Sequence, residues 1–240
     1  MDKKDVILYF SLNTVVLLVG IILLLSNEKI GIGGSLIAVG ITAYIVFWAS
    51  YINTKKAKRD TILLSKVRRF GIEDIDERRL IIEQYAAVRK KANRSFDIMG
   101  FGLRNFIEDN YESFNDWTKS FDMRILLINP NSGFCSQRDY EEKDYQGKIH
   151  DDVIYATKKI NELNNSKIIL KWYNAIPVTN ILRMDDTMWV GPYFIYERSR
   201  NAFVLRLRKG GLLYKQYFEH FGRIWNDPKL SCLPDLQDIK

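Results

Sequence analysis

Histidine and cysteine are the scarcest side chains in this chain, and His150 and His220 are the only two histidines in 240 residues. That excludes histidine-rich metal centres and leaves little material for an imidazole acid–base pair. Neither histidine has a catalytic setting in the sequence. His150 precedes Asp151 and Asp152 at an expected helix start, and His220 follows Glu219 in an amphipathic helix. Each is expected to cap or cover a surface. Cysteine is equally sparse, and Cys135 and Cys232 lack metal-ligand or redox spacing. They exclude a disulfide framework and fit a reducing compartment. No glycine-rich phosphate loop, zinc-ligand spacing, serine elbow or internal repeat occurs, so no metal and no cofactor is expected.

Charge is absent from two long stretches. Val6–Leu25 runs 20 residues without a charged side chain, enough at a rise of about 1.5 Å per residue to cross a hydrocarbon core of about 30 Å. Ile30–Ile52 is also uncharged and longer, and only Ser26 to Lys29 lies between them. Residues 1–52 therefore read as a transmembrane helical hairpin with spans at about 6–25 and 30–52. A secretory signal is the rival reading of the first run. Its apolar core is too long, no small-residue cleavage site follows, and a second span comes at once. The loop carries Glu28 and Lys29, whereas the second span exits into Lys55, Lys56, Lys58 and Arg59. The positive-inside rule then places both termini in the cytoplasm. Gly34, Ala38 and Thr42 form a small-residue stripe, and Ser11, Asn13 and Thr14 put polar groups in the first span. These suit a helix oligomer or a narrow polar pore, and equally a simple anchor with its polar groups satisfied locally.

The net charge of +7 has an address. Residues 53–94 hold thirteen Lys/Arg and six Asp/Glu, a surplus equal to the whole net charge. Topology and attraction to anionic lipid headgroups explain a juxtamembrane excess more readily than nucleic acid does. The segment 53–94 is expected to be a basic helical stalk. Ile62, Leu63, Val67 and Phe70 stripe its first helix, and Gly71 ends it. A second helix is expected from Ile72 to Ser95, acidic at its start, basic at its end, with Leu80, Ile81, Tyr85 and Val88 on one face.

Residues 95–240 change period. Ser95–Phe106 reads as strand and turn, Glu108–Lys119 as helix, Met123–Pro130 as a buried strand, His150–Leu163 as an amphipathic helix and Lys167–Tyr173 as a strand. That order implies an α/β sheet with parallel crossovers. Thr179–Arg183 and Thr187–Val190 flank the turn Met184–Asp185–Asp186 with no room for a crossover helix, so they pair as a hairpin. Ala202–Arg208 alternates as a strand. Leu212–Trp225 is a helix whose stripe of Tyr214, Tyr217, Phe218, Phe221 and Trp225 docks on the core.

From Phe96 to Trp225 the chain resembles the phospholipase D-like superfamily in its non-catalytic bacterial versions. The residues that carry the resemblance are MRILLINPNS followed by Arg138, the KIILKWYNAIP segment leading to RMDDTMWVGPYF, and the closing YKQYFEHFGRIW helix. In that superfamily the hairpin carries His-x-Lys-x4-Asp with a Gly-Ser turn seven residues on. The histidine is the nucleophile, the lysine neutralises phosphate, and a second histidine protonates the leaving group. Counting back from Gly191, the matching positions here are Pro177, Thr179 and Met184. The resemblance therefore implies an α/β domain with a mixed sheet flanked by helices and no catalytic residue.

An anion cradle can survive such a loss. Arg124, Arg138, Lys171, Arg183, Arg206 and Arg208, interleaved with Tyr173, Trp189 and Tyr193, supply positive charge and flat surfaces for a nucleotide or single-stranded oligonucleotide. The plainer reading has the aromatics filling the core and the arginines covering it with their stems. Two spans, a basic stalk and a stripped phosphodiesterase-like domain also look like the transmembrane effectors of bacterial nucleotide-controlled anti-phage defence, such as Hailong-like systems. That likeness implies a homo-oligomeric channel or membrane-permeabilising effector. It would be gated by a nucleotide or short single-stranded DNA oligomer, with a nucleotidyltransferase making the ligand. The alternatives are a membrane-anchored divergent phosphodiesterase or phospholipase, and a tethering scaffold for a protein partner.

Overall fold

A computed structural model describes residues 3–26, 30–78, 88 and 92–235. The chain falls into two compact units, Met1–Lys66 and Val67–Lys240.

The first unit is built from helix α1 (Lys3–Leu25) and most of helix α2 (Ile30–Phe70). Both are long and apolar enough to cross a membrane. They pack antiparallel through glycine. A Cβ on Gly33 would lie 2.7 Å from the Leu24 nitrogen and 2.9 Å from the Gly20 carbonyl, and one on Gly40 would lie 2.6 Å from Leu17. Tyr9 stacks on Phe47 at 4.4 Å, and its hydroxyl donates to the Ala43 carbonyl. Gly34, Ala38 and Thr42 are exposed, and a Cβ on Gly34 would meet nothing within 4 Å. The small-residue stripe read from the sequence therefore faces away from α1, and the close seam runs one position earlier, through Gly33 and Gly40. Thr14 and Thr42 return their hydroxyls to the carbonyls of Phe10 and Ala38. Asn13 is buried, and its Nδ2 has no hydrogen-bond partner among the described residues.

Among the described residues the second unit is an eight-stranded mixed sheet between helical layers. Its strands are β1 (Ile72–Asp76), β2 (Ser95–Gly100), β3 (Asp122–Ile128), β4 (Ile168–Tyr173), β5 (Thr179–Met184), β6 (Thr187–Pro192), β7 (Val204–Arg208) and β8 (Ser231–Cys232). In space they run β1-β7-β6-β5-β2-β3-β4-β8. The centre, β2-β3-β4, is parallel, and every other pairing is antiparallel. Parallel neighbours need crossovers, which α3 (Arg104–Asn110), α4 (Phe114–Trp117), α5 (Gly133–Glu142) and α6 (Lys148–Glu162) provide, whereas the β5–β6 hairpin needs only a turn.

Cross-strand partners share a face, and the register separates two layers. Trp172 donates to Thr157 of α6, placing α6 on the face of Ile125, Leu127 and Leu182. The other face carries Asp97, Arg124 and Arg183 and is covered by α7 (Leu212–Asn226), whose Phe221 and Trp225 lie over the Arg124 guanidinium. The core holds Phe96, Phe114, Met123, Leu126, Val153, Tyr173 and Trp189, each buried.

Three segments differ from the sequence reading. Ile72–Asp76, expected to start a helix, is edge strand β1, because Glu73 and Asp74 serve as cross-strand ion-pair partners of Arg206 on β7. Folded structure thus begins well before residue 95, inside the expected stalk. The helix expected at Glu108–Lys119 is broken into α3, a 3-10 turn at Tyr111–Ser113 and α4. Helix α5, which follows Asn-Pro-Asn, is capped by Ser132, whose hydroxyl accepts from the Phe134 amide. Leu80, Ile81 and Tyr85 lie outside the described residues, while Val88 is helical and packs on the core.

Candidate functional site

The β5–β6 turn separates its two acids. Asp185 sits in the left-handed region at φ 49°, which aspartate tolerates better than most side chains. From there its carboxylate accepts from the backbone amides of Asn93, Arg94 and Ser95 at 2.9, 3.0 and 2.8 Å, fixing the start of β2. Its carbonyl is held by the Tyr214 hydroxyl and by Arg183. Asp186 instead points to cations: Arg94 Nη2 lies 2.8 Å away and Lys209 Nζ 3.1 Å. Hydrogen bonds from Arg94, then Lys209, hold its carboxyl below the usual aspartate range.

This turn walls a cleft of about 670 Å³ whose other sides are Arg69 at the end of α2, the start of β2, and Lys209–Lys215 at the start of α7. Five cationic side chains, Arg69, Arg94, Arg183, Lys209 and Lys215, face two acids. Arg183 is buried and committed to Asp97, with its guanidinium over the Phe218 ring. Arg69 has no acidic partner among the described residues, and Lys215 has only Glu219 at 3.9 Å. Gly211 caps α7 without a side-chain hydrogen bond, so the positive end of a 15-residue helix adds to the cleft's field. The Tyr214 and Phe218 rings stack at 6.2 Å along one wall.

A second cleft of about 310 Å³ opens at the opposite end of the sheet, beyond the carboxyl end of β2. That is the usual ligand position in a parallel sheet. Its charges, however, largely cancel one another. Lys148 and Arg104 pair with Asp152, and Arg198 with Asp144, leaving Arg200 as its unpaired cation among the described residues.

The nine ligand-binding residues expected from the sequence are not brought together. Tyr173 and Trp189 are core residues, and burial pushes the Tyr173 phenol well up. Arg124 and Arg183 both hold the buried Asp97 carboxylate. Arg138 is 1% exposed and donates to the Phe194 and Glu197 carbonyls, pinning that loop against α5. Arg206 pairs with Glu73 and Asp74, Lys171 donates to the Trp225 carbonyl, and exposed Arg208 gives its amide to Gly71. Of the nine, only Arg183 lines the large cleft and only Tyr193 the small one. The other cations that line the large cleft, Arg69, Arg94, Lys209 and Lys215, are not among the nine. The available signal was Lys209–Gly210–Gly211 immediately before a helix, a basic residue on an uncapped helix start.

Of the positions matching the nucleophile, lysine and acid, Thr179 donates to the Gly191 carbonyl, Met184 is in the core, and Pro177 is half-buried. His150 is half-buried beside Asp151, and burial lowers the pKa of half-buried His220; neither lines either of the two clefts. Burial pushes the Cys135 thiol to about 12. Among the described residues no group of three His, Cys, Asp or Glu could hold a metal.

No protein-family model and no curated protein matches the chain. Among solved structures it is similar to TrmBL2, an archaeal chromatin protein described as showing a novel mode of DNA binding. The likeness is 12% identical, covers 80% of this chain and 68% of that one, and has a TM-score of 0.43. At that depth neither fold family nor function follows from it.

Proposed function

We propose that this chain is a membrane effector whose α/β domain binds an anionic ligand, a nucleotide or a short single-stranded DNA oligomer, and passes the binding on to its two apolar helices. The observation that carries this reading is the large cleft: five cations against two acids, an uncapped helix start and a pair of stacked rings around one opening. Phosphates pair with Arg69 and Lys215, and Phe218, 42% exposed, offers a face to a base. The cleft is lined by Arg69, one residue before α2 ends at Phe70, so an occupant would meet the last turn of that helix. A ligand that binds two arrangements of this joint unequally shifts their populations; one that binds both equally shifts nothing.

The exposed Gly34, Ala38 and Thr42 face suits packing between copies, and the resemblance in the sequence adds the setting: a homo-oligomeric, inner-membrane channel or permeabilising effector of anti-phage defence. Binding of a labelled thymidine hexanucleotide to the detergent-solubilised full chain, followed by dye release from vesicles that contain it, tests the proposal. Salt-sensitive binding that changes the release rate is expected. Release unaffected by the oligonucleotide, or hydrolysis of it, would overturn the reading.

A further inference from the structure

The cleft holds an anion of its own. Asp186 places one carboxylate oxygen on Arg94 and the other on Lys209, and its side chain stays 51% exposed to the opening. Asp185, one residue earlier, gives its carboxylate mainly to three backbone amides and stands only at the long distance of 3.8 Å from the Arg94 Nε. The Asp186 carboxylate can leave its partners without disturbing those amides, and the Lys209 amide remains anchored to the Asp186 carbonyl at 2.8 Å. Geometrically it does what a phosphate oxygen pair would do, bridging a guanidinium and an ammonium.

We propose that Asp186 is a built-in competitor for the ligand's phosphate: it neutralises Arg94 and Lys209 in the empty cleft and is displaced from them when an anion enters. This rests on the reading of the large cleft as an anionic-ligand site. The device sets a threshold. A single phosphate group gains too little from Arg69 and Lys215 to displace the carboxylate, whereas a polyphosphate or an oligonucleotide reaches all four cations together. The site therefore selects for several linked phosphate groups over one, and for ligand charge over ligand shape.

The test compares the full chain with Asp186→Asn and Asp186→Ser, using tripolyphosphate, the thymidine hexanucleotide and inorganic phosphate as probes. Asp144→Asn, which removes the same charge at the small cleft, controls for net charge. Removing the competitor is expected to tighten tripolyphosphate binding about fivefold, the scale of one exposed ion pair. It should also steepen the dependence of affinity on salt, because the freed cations then hold counterions that the ligand must release. Inorganic phosphate should gain proportionally more, so discrimination between one phosphate group and several linked ones narrows. Asp144→Asn should change none of these. If the wild type binds and both Asp186 variants bind equally or more weakly, or if Asp144→Asn tightens binding as much, the competitor is disproved while the cleft reading stands. If neither the wild type nor the variants bind any probe, the cleft reading itself fails.

Discussion

Gly71 and Gly211 stand backbone to backbone: a Cβ on Gly211 would fall 2.3 Å from the Gly71 Cα, and one on Gly71 would fall 2.5 Å from the Gly211 Cα. Gly71 also has φ +80°, where an L side chain is strained. The pair joins the end of α2 to the start of α7, with the Gly71 carbonyl accepting from the Arg208 amide. A methyl group at Gly211 cannot be accommodated by a rotating side chain, because what it meets is backbone. Gly211→Ala is expected to cost about 1–3 kcal/mol. Gly222→Ala, inside α7 where a Cβ meets nothing within 4 Å, should instead stabilise by about 0.5–1 kcal/mol. Thermal unfolding of the two variants reads opposite signs.

The acidic turn yields an equally asymmetric pair. Asp185→Ala removes the acceptor of three amides and should cost about 2–3 kcal/mol or more, with faster hydrogen exchange at Asn93, Arg94 and Ser95. Asp186→Asn touches only exposed ion pairs and should cost less than about 1 kcal/mol. Equal losses at the two positions would mean that both acids are structural.

Arg183→Met leaves the buried Asp97 carboxylate with Arg124 as its remaining ion-pair partner, at an expected cost of about 3–5 kcal/mol. Adding Asp97→Leu to the same chain should recover part of the loss, because the uncompensated buried charge goes with it. Denaturant unfolding of the single and double variants decides this.

The pH dependence of the cleft follows from Asp186. Its folded pKa is depressed below 3.8, so its ion pairs contribute fully above that value and are lost as pH falls through the folded pKa. With the side chain half exposed, the effect on stability is small and is better read at the group itself. In a carboxyl NMR titration Asp186 should titrate below 3.8, and Arg94→Ala should raise its midpoint. His220 behaves alike in sign. Burial lowers its pKa, so its contribution is present above 6.5 and lost as pH falls through the folded value.

Elements whose period is decided by burial were legible in the sequence. The apolar helices, the parallel centre β2-β3-β4, the β5–β6 hairpin and the aromatic stripe of α7 all follow from which residues must leave water. Ile72–Asp76 was not, since acids at a helix start and acids facing an arginine across a strand look the same in one dimension. Only the pairing of Asp74 with Arg206 separates them. Which cations line a cleft was not legible in the sequence. Cations and aromatics in the sheet were counted as ligand contacts, yet Arg124, Arg138 and Arg183 answer to buried acids and carbonyls, as buried charges must. The exposed cations come from the ends of three segments remote in sequence, Arg69, Arg94 and Lys209, which only the folded chain brings together.

The most direct test of the account is the affinity of the full chain for the labelled thymidine hexanucleotide at low and high salt, measured for the wild type, Arg69→Ala/Lys215→Ala and Arg200→Ala. The account predicts that the double variant loses about tenfold or more at low salt, with a shallower salt slope. Arg200→Ala, in the small cleft, should bind as the wild type does. Undiminished binding by the double variant, together with loss in Arg200→Ala, would contradict it and move the ligand to the other end of the sheet.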